Sequence, residues 1–455
     1  MAQQEEYGQN AQAASEEESP RGLFAGAGPV LAGDKTLWVI IVILCIISLL
    51  VVYSATNSKA YADAGGDTAH YMLNQLKYII MGLGIIYVVH RIDYQVYARF
   101  AGLAFVVALG LQLLTFFLGV DLNGAKRALQ IPLIGLTFQP SDFLKVTLVM
   151  VLARQLAQRQ TVINKIKLLP SIFAVKRHKG KRSIEFDLDL ERNAGIWRST
   201  TMPLLLPVAV ACAVIMPSNL STSGIVFFSC WIMLYIGRAK MSELIRLLTL
   251  TVVAGAAVIM LMSAFNIARG RTWMGRIKQF TGIERVATTA AADTFDPDDE
   301  QAENARIAIA SGGIFGKGPG RSTQRARLSH SYSDFAYAFI VEEYGVFGAM
   351  AVLMLYLWLF FRTIVIFQRC GTAFPSLLVL GLGLMIFFQA AINMLVSTGL
   401  FFVTGQNLPL ISMGGSSVIF ISLALGMILG VSRQMQEKTL DAPKSESLLE
   451  STGRR

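Results

Sequence analysis

Charge is scarce in this chain: only 15% of its 455 residues are Asp, Glu, Lys or Arg, against about 25% in water-soluble domains. That shortfall argues against an enzyme folded in water. Cysteine and histidine are scarce too, four of each. Cys45, Cys212, Cys230 and Cys370 stand apart without a CxxC pair, so no disulfide framework is written into the sequence. HExxH, Cys/His clusters, a GxSxG elbow and a dinucleotide fingerprint are all missing, which disfavours the commoner zinc, hydrolase and redox classes. The first 35 residues are polar and acidic and lack the basic flank, short apolar stretch and small-residue site of a cleaved signal. They read as a disordered tail before an uncleaved first helix.

What the chain has is apolar length. Apolar residues make up 54%, mean hydropathy is +0.52, and the runs approach the ~20 residues a helix needs to cross a hydrocarbon core. The pattern predicts an all-α polytopic membrane protein with ten transmembrane helices, near residues 37–55, 74–90, 99–119, 140–157, 201–216, 224–237, 246–265, 336–361, 374–397 and 410–431. Lys plus Arg exceed Asp plus Glu by 40 to 30. On a soluble domain that excess would suggest nucleic acid; here much of it lies between spans, where it sets orientation. The most basic connection, 158–200, holds the run from Lys176 to Arg182, while loops 217–223 and 398–409 carry no charge. Both termini are therefore expected in the cytoplasm, with tails at 1–35 and 434–455 around a membrane domain at 36–433. The basic run could attract anionic membrane lipid or a cytosolic partner, but an ordinary topogenic role is the stronger reading.

One outer connection, 266–335, is far longer than usual, and such loops tend to be functional or disordered. Acids fill its middle (Asp293, Asp296, Asp298, Asp299, Glu300, Glu303), and Ala302 to Phe315 is apolar enough to form a helix or to re-enter the membrane surface. The Gly-rich stretch from Ser311 to Ser322 is no nucleotide P-loop, because Gly318 rather than Ser or Thr follows Lys317. Turns needing positive φ explain its glycines. Lys317, Arg321, Arg325 and Arg327 leave a cationic rim suited to a lipid-linked pyrophosphate. Asp142 and Lys145 lie three apart on one helical face within a span, as a structural ion pair or a functional one. Asp334, Glu342, Glu343, Asn393, Ser397, Thr398 and Thr404 gather near the outer ends of the eighth and ninth spans, where helix ends need partners.

Together these segments resemble the SEDS family (shape, elongation, division and sporulation) over roughly residues 37–433. The resemblance is carried by Gly124-Ala125-Lys126-Arg127, by Gln139-Pro140-Ser141-Asp142 with Lys145, and by Gly312-Gly313 through Gly320-Arg321-Ser322. It continues in Tyr332-Ser333-Asp334-Phe335, Glu342-Glu343-Tyr344-Gly345, Thr404 through Ser412, and Gly414-Gly415-Ser416-Ser417. Asn219, where elongation members usually carry Asp, is similar to the division branch.

The resemblance implies a peptidoglycan glycosyltransferase that polymerises lipid II onto a nascent glycan strand at the division septum and releases undecaprenyl pyrophosphate. A loop aspartate would be the general base. Asp296, which precedes Pro297, is favoured over Asp298, with Asp299 and Asp293 in reserve. Arg127, Asp142, Lys145, Lys317, Arg321, Ser322, Asp334, Glu342, Thr404, Ser412 and Ser416 are the implied substrate-binding or cavity residues. A class B penicillin-binding transpeptidase and other divisome membrane proteins are the implied partners, and nucleic acid is not. A divalent cation, Mg or Mn, is compatible with the chemistry but has no ligand set in the sequence. Rival readings of the residues are a flippase or transporter for a lipid-linked precursor, and a division scaffold without catalysis.

Overall fold

The computed structural model describes residues 32–55, 68–122, 125–131, 136–163, 174–178, 181–185, 201–265, 274–275, 297–324 and 334–452. Its helices, in chain order, are α1 (Lys35–Ala55), α2 (Thr68–Val89), α3 (Tyr94–Leu118), α4 (Pro140–Ile163), α5 (Met202–Ile215), α6 (Leu220–Ile236), α7 (Met241–Ala264), α8 (Pro297–Gly312), α9 (Ala336–Arg369), α10 (Ala373–Ser397) and α11 (Gly415–Thr452). Seven of them, α1, α2, α3, α7, α9, α10 and the part of α11 up to Glu437, are long and apolar enough to cross a membrane. The chain is a multi-pass membrane protein. α5 and α6 are apolar but shorter. α4 owes its lower hydropathy to Asp142, Lys145, Arg154 and Arg159.

α4 is the post around which the bundle is built: it packs against α3, α5, α6, α10 and α11. Most of its apolar side chains, among them Leu144, Leu148 and Leu152, are buried. α10 comes close to it through Gly381, where a Cβ would sit 2.6 Å from Val149 Cγ1 and 2.5 Å from Met233 Sδ. Small residues at such crossings supply the van der Waals packing that holds helices together in lipid.

Three features depart from the expected pattern. Between α3 and α4 the chain forms β1 (Val120–Leu122), β2 (Ala125–Ile131) and β3 (Leu136–Phe138), paired antiparallel in that order. The Phe138 ring lies 5.4 Å from that of Phe420 and seats the sheet on α11. In the basic connection, β4 (Ala174–His178) pairs with β5 (Lys181–Glu185). The last helix, expected to end at residue 431 and give way to a disordered tail from 434, instead runs on to Thr452. The first stretch is anchored by Arg433, whose guanidinium donates to the carbonyls of His90 and Arg91, and by Gln434, which donates to that of Ile92.

At that same end Asp34 caps α1 by accepting from the Leu37 amide at 3.1 Å and pairs with Arg362 of α9. The expected tail at 1–35 thus ends in an ordered, buried Asp34, while residues 1–31 lie outside the described residues. So do most of 158–200 beyond α4 and the β4–β5 hairpin, and 266–296 apart from 274–275.

Candidate functional site

The opposite end of the bundle gathers the polar residues. α4 begins at Pro140, whose missing N–H is no loss at a helix start. One turn in, Lys145 Nζ lies 2.7 Å from Asp142 Oδ1, both side chains buried. Lys145 also donates to Gln389 Oε1 of α10 at 3.1 Å, and Gln389 Nε2 donates to the Asn407 carbonyl at 3.0 Å. The pair therefore ties α4 to α10 and to the segment 399–414.

That segment is irregular backbone deep in the fold, admissible only where its peptide groups find partners. Side chains supply them. Asn393 Nδ2 donates to the carbonyls of Gln406 (2.6 Å) and Asp334 (2.8 Å), and Ser412 Oγ accepts from the Leu408 amide (2.8 Å). Tyr356 donates to the Pro409 carbonyl and Ser48 to that of Ile411. Gln406 Nε2 reaches Thr222 Oγ1 at 2.9 Å and Asn219 Oδ1 at 3.4 Å. Asn219 itself caps α6 through the Thr222 amide.

Where this segment turns, Gly405 adopts φ +61, and a Cβ built there would lie 3.5 Å from Asp334 Oδ2 and 3.7 Å from Arg127 Nη1. A carboxylate from the start of α9 and a guanidinium from β2 thus meet over one glycine. Beside them, Asn393 Oδ1, Ser397 Oγ and Thr404 Oγ1 are buried with no hydrogen-bond partner among the described residues. Buried polar groups are ordinarily paired, so this cluster has hydrogen-bonding capacity to offer. Ser416, half-buried, stands in the first turn of α11.

Two turns along α9 a second group forms around Glu342, a fully buried carboxylate. Lys317 Nζ approaches its Oε1 to 2.7 Å, the Thr323 amide and hydroxyl donate to the same oxygen at 2.9 Å each, and Ser322 Oγ donates to Oε2. The expected cationic rim is altered by this: Lys317 is engaged inside the fold. Arg321 is exposed on the same loop, and Arg325 and Arg327 lie outside the described residues.

The loop helix expected within 302–315 is present as α8, beginning at Pro297 and packing along α9 and against α10. Asp298 falls in its first turn; Asp296 and Asp293 lie outside the described residues, and the side chain of Asp299 is likewise undescribed. Among the described residues, no group of three or more His, Cys, Asp or Glu could hold a metal ion. Gln389, Ser48 and Ser54 stand outside the motifs and candidate residues read from the sequence. Each sits in an apolar helix, and a polar residue in such a place is the signal that could have found them.

The profile of the family described as "Cell cycle protein", covering FtsW, RodA and SpoVE, matches residues 34–437. Among curated relatives, the "Probable peptidoglycan glycosyltransferase FtsW" of Hydrogenovibrio crunogenus is 29% identical over 416 residues, 90% of this chain and 94% of its own. The stage V sporulation protein E of Bacillus subtilis is 27% identical, over 88% of this chain and 97% of its own. Two solved structures share the fold. One chain, from a structure described as "Structural coordination of polymerization and crosslinking by a peptidoglycan synthase complex", has a TM-score of 0.62 at 21% identity, covering 89% of this chain and 99% of that one. The Thermus thermophilus rod shape determining protein RodA has a TM-score of 0.55 at 20% identity, covering 89% and 97%.

Proposed function

This chain belongs to the FtsW/RodA/SpoVE family, and from that premise we propose that it is a peptidoglycan glycosyltransferase polymerising lipid II. The observation that carries the reading is the buried cluster at Gly405, where Arg127 and Asp334 converge beside the polar atoms of Asn393, Ser397 and Thr404 that find no partner among the described residues. A sugar or a diphosphate presents the hydroxyls and oxygens such a cluster binds. Ten membrane crossings follow if α4, α5 and α6 span along with the seven longer helices. Both termini are then cytoplasmic, and α8, the Gly-rich loop and the 399–414 segment face outward. On the same reading the chain works at the division septum, beside a class B penicillin-binding transpeptidase, a role its resemblance to division members supports.

In this mechanism Asp296, or Asp298 two residues on, accepts the proton of the acceptor hydroxyl as that oxygen attacks the anomeric carbon of the other lipid-linked chain. The glycosidic bond forms with inversion, the bond to the pyrophosphate oxygen breaks, and undecaprenyl pyrophosphate leaves. A carboxylate within hydrogen-bonding reach of the hydroxyl is sufficient for this role. Arg127 and Arg321 stabilise the charge growing on the leaving group. Asp142 and Lys145 hold the inner wall through Gln389.

Purified full-length protein with its transpeptidase partner, given fluorescent lipid II, tests the reading. Polymer supports it, movement of lipid II across liposomes without polymer means a flippase, and neither means a scaffold. Asp296→Ala is expected to abolish polymer with expression and partner binding intact. Loss only in Asp298→Ala moves the base to that residue, and persistent polymerisation with every acid from Asp293 to Glu303 neutralised overturns the mechanism.

A further inference from the structure

α9 is broken. Gly345, at φ 66 and ψ −160, interrupts it between Tyr344 and Val346. A break of this kind strands peptide groups, which apolar surroundings leave unsatisfied unless another segment pairs with them. The Gly-rich loop does so. Lys317 N donates to the Glu342 carbonyl at 3.0 Å, Gly318 N to that of Glu343 at 2.9 Å, and Val346 N to that of Gly313 at 3.1 Å. The two backbones approach so closely that a Cβ on Gly316 would lie 2.2 Å from the Glu343 carbonyl oxygen, and one on Gly345 2.2 Å from that of Ile314.

The side chains at the break clamp the same loop from below. Glu342 takes Lys317, Ser322 and Thr323, as described. Glu343 Oε1 accepts from the Gly320 amide at 2.9 Å and from Ser54 Oγ of α1 at 2.5 Å. Residues 313–324 are thus a strap held by two adjacent buried carboxylates. The strap leads straight out of α8, whose last residue, Gly312, packs on the Val341 backbone.

We propose that Glu342 and Glu343 are positioning residues for the transferase site: by clamping the strap they set the C-terminal end of α8, and so the place of the aspartates at its other end. This rests on the reading above that Asp296 or Asp298 is the general base. From Gly312 to Pro297 the helix is an arm about 22 Å long at 1.5 Å per residue. A tilt of about 3° at the clamped end moves the other by about 1 Å, and a misplacement of that size costs about 100-fold in rate.

The test uses the full-length chain with its transpeptidase partner, fluorescent lipid II as probe, and amide hydrogen exchange measured on the same preparations. Glu342→Gln and Glu343→Gln are expected to lower kcat about 10- to 100-fold with KM within about twofold, and to speed exchange at Gly320, at Thr323 and along α8. Thr323→Val removes one hydroxyl from an exposed position and so avoids a folding failure. It should show the same kcat-selective loss at about 3- to 10-fold, with Thr323→Ser restored to within about twofold of wild type. Unchanged α8 exchange in Glu342→Gln overturns the proposal whatever the turnover, as does unchanged kcat with a loosened strap. Wild-type protein that makes no polymer overturns the functional reading instead, and the exchange data still decide the clamp.

Discussion

Burial decides what individual charges can do in this protein. Asp142 and Lys145 are shielded from solvent on one face of α4, so removing one leaves the other buried without its counter-charge, a loss of about 3–5 kcal/mol. Lys145→Met should therefore lower the unfolding midpoint of the detergent-solubilised protein far more than the double variant Asp142→Leu/Lys145→Met, which removes both charges. If the double variant also retains polymerisation, the pair is a wall tie and not a substrate contact. That distinction was open in the sequence, which shows the i, i+3 spacing but not Gln389, which joins the pair to α10 from 244 positions away. His90, in the turn after α2, shows the same principle in its titration. Burial lowers its pKa from the ordinary imidazole value, helped by Arg91 and Arg433 nearby. The folded state keeps His90 neutral while the unfolded chain takes up a proton below about pH 6.5. Stability is thus full above that pH and falls as the pH drops toward the folded value. His90→Asn should flatten this acid limb in thermal unfolding measured across pH, and an undiminished slope would place its origin elsewhere.

At the scale of elements, legibility followed the length of the signal. Apolar runs near the thickness of a bilayer locate α1, α3, α7 and α10 to within a few residues of their structural bounds. The sheet between α3 and α4 escapes because its strands are three to seven residues long, too short for an alternation to stand out beside the spans. The break in α9 escapes for another reason: Gly345 reads as one more small residue inside an apolar run. Only the pairing of Glu342 and Glu343 with a strap some twenty residues upstream explains the break. Gly345 is accordingly the glycine on which most depends. Gly345→Ala places a side chain at positive φ, which costs about 1–3 kcal/mol in itself, and drives its Cβ to 2.2 Å from the Ile314 carbonyl oxygen. Limited proteolysis should show early cleavage in residues 313–324 of that variant. Gly371→Ala, where a Cβ meets nothing within 4 Å, should digest like wild type.

Across the whole molecule the two ends differ in kind. One is stitched by Asp34, Arg362, Arg433 and the turn from His90 to Ile92. The other carries the sheet, the strap, the cap at Asn219, the Ser412 bond to the Leu408 amide, and the cluster at Gly405. The first end adjoins the loops rich in Lys and Arg, which under the positive-inside rule makes it the proposed cytoplasmic end; the polar cluster then faces outward, on the side where the proposed polymerisation takes place. That orientation requires α4, α5 and α6 to cross, although α4 is charged and the other two are short. A membrane helix with buried charge can cross when neighbours enclose it, and α4 is enclosed on five sides. Single cysteines introduced after removal of the four native ones check the count directly. Arg321→Cys, exposed on the strap, should react with a membrane-impermeant maleimide in intact spheroplasts. Lys240→Cys, exposed between α6 and α7, should react only after permeabilisation. Labelling of Lys240→Cys from outside would mean that an odd number of helices precedes it, and the outward site would then have to be rebuilt from the other end of the bundle.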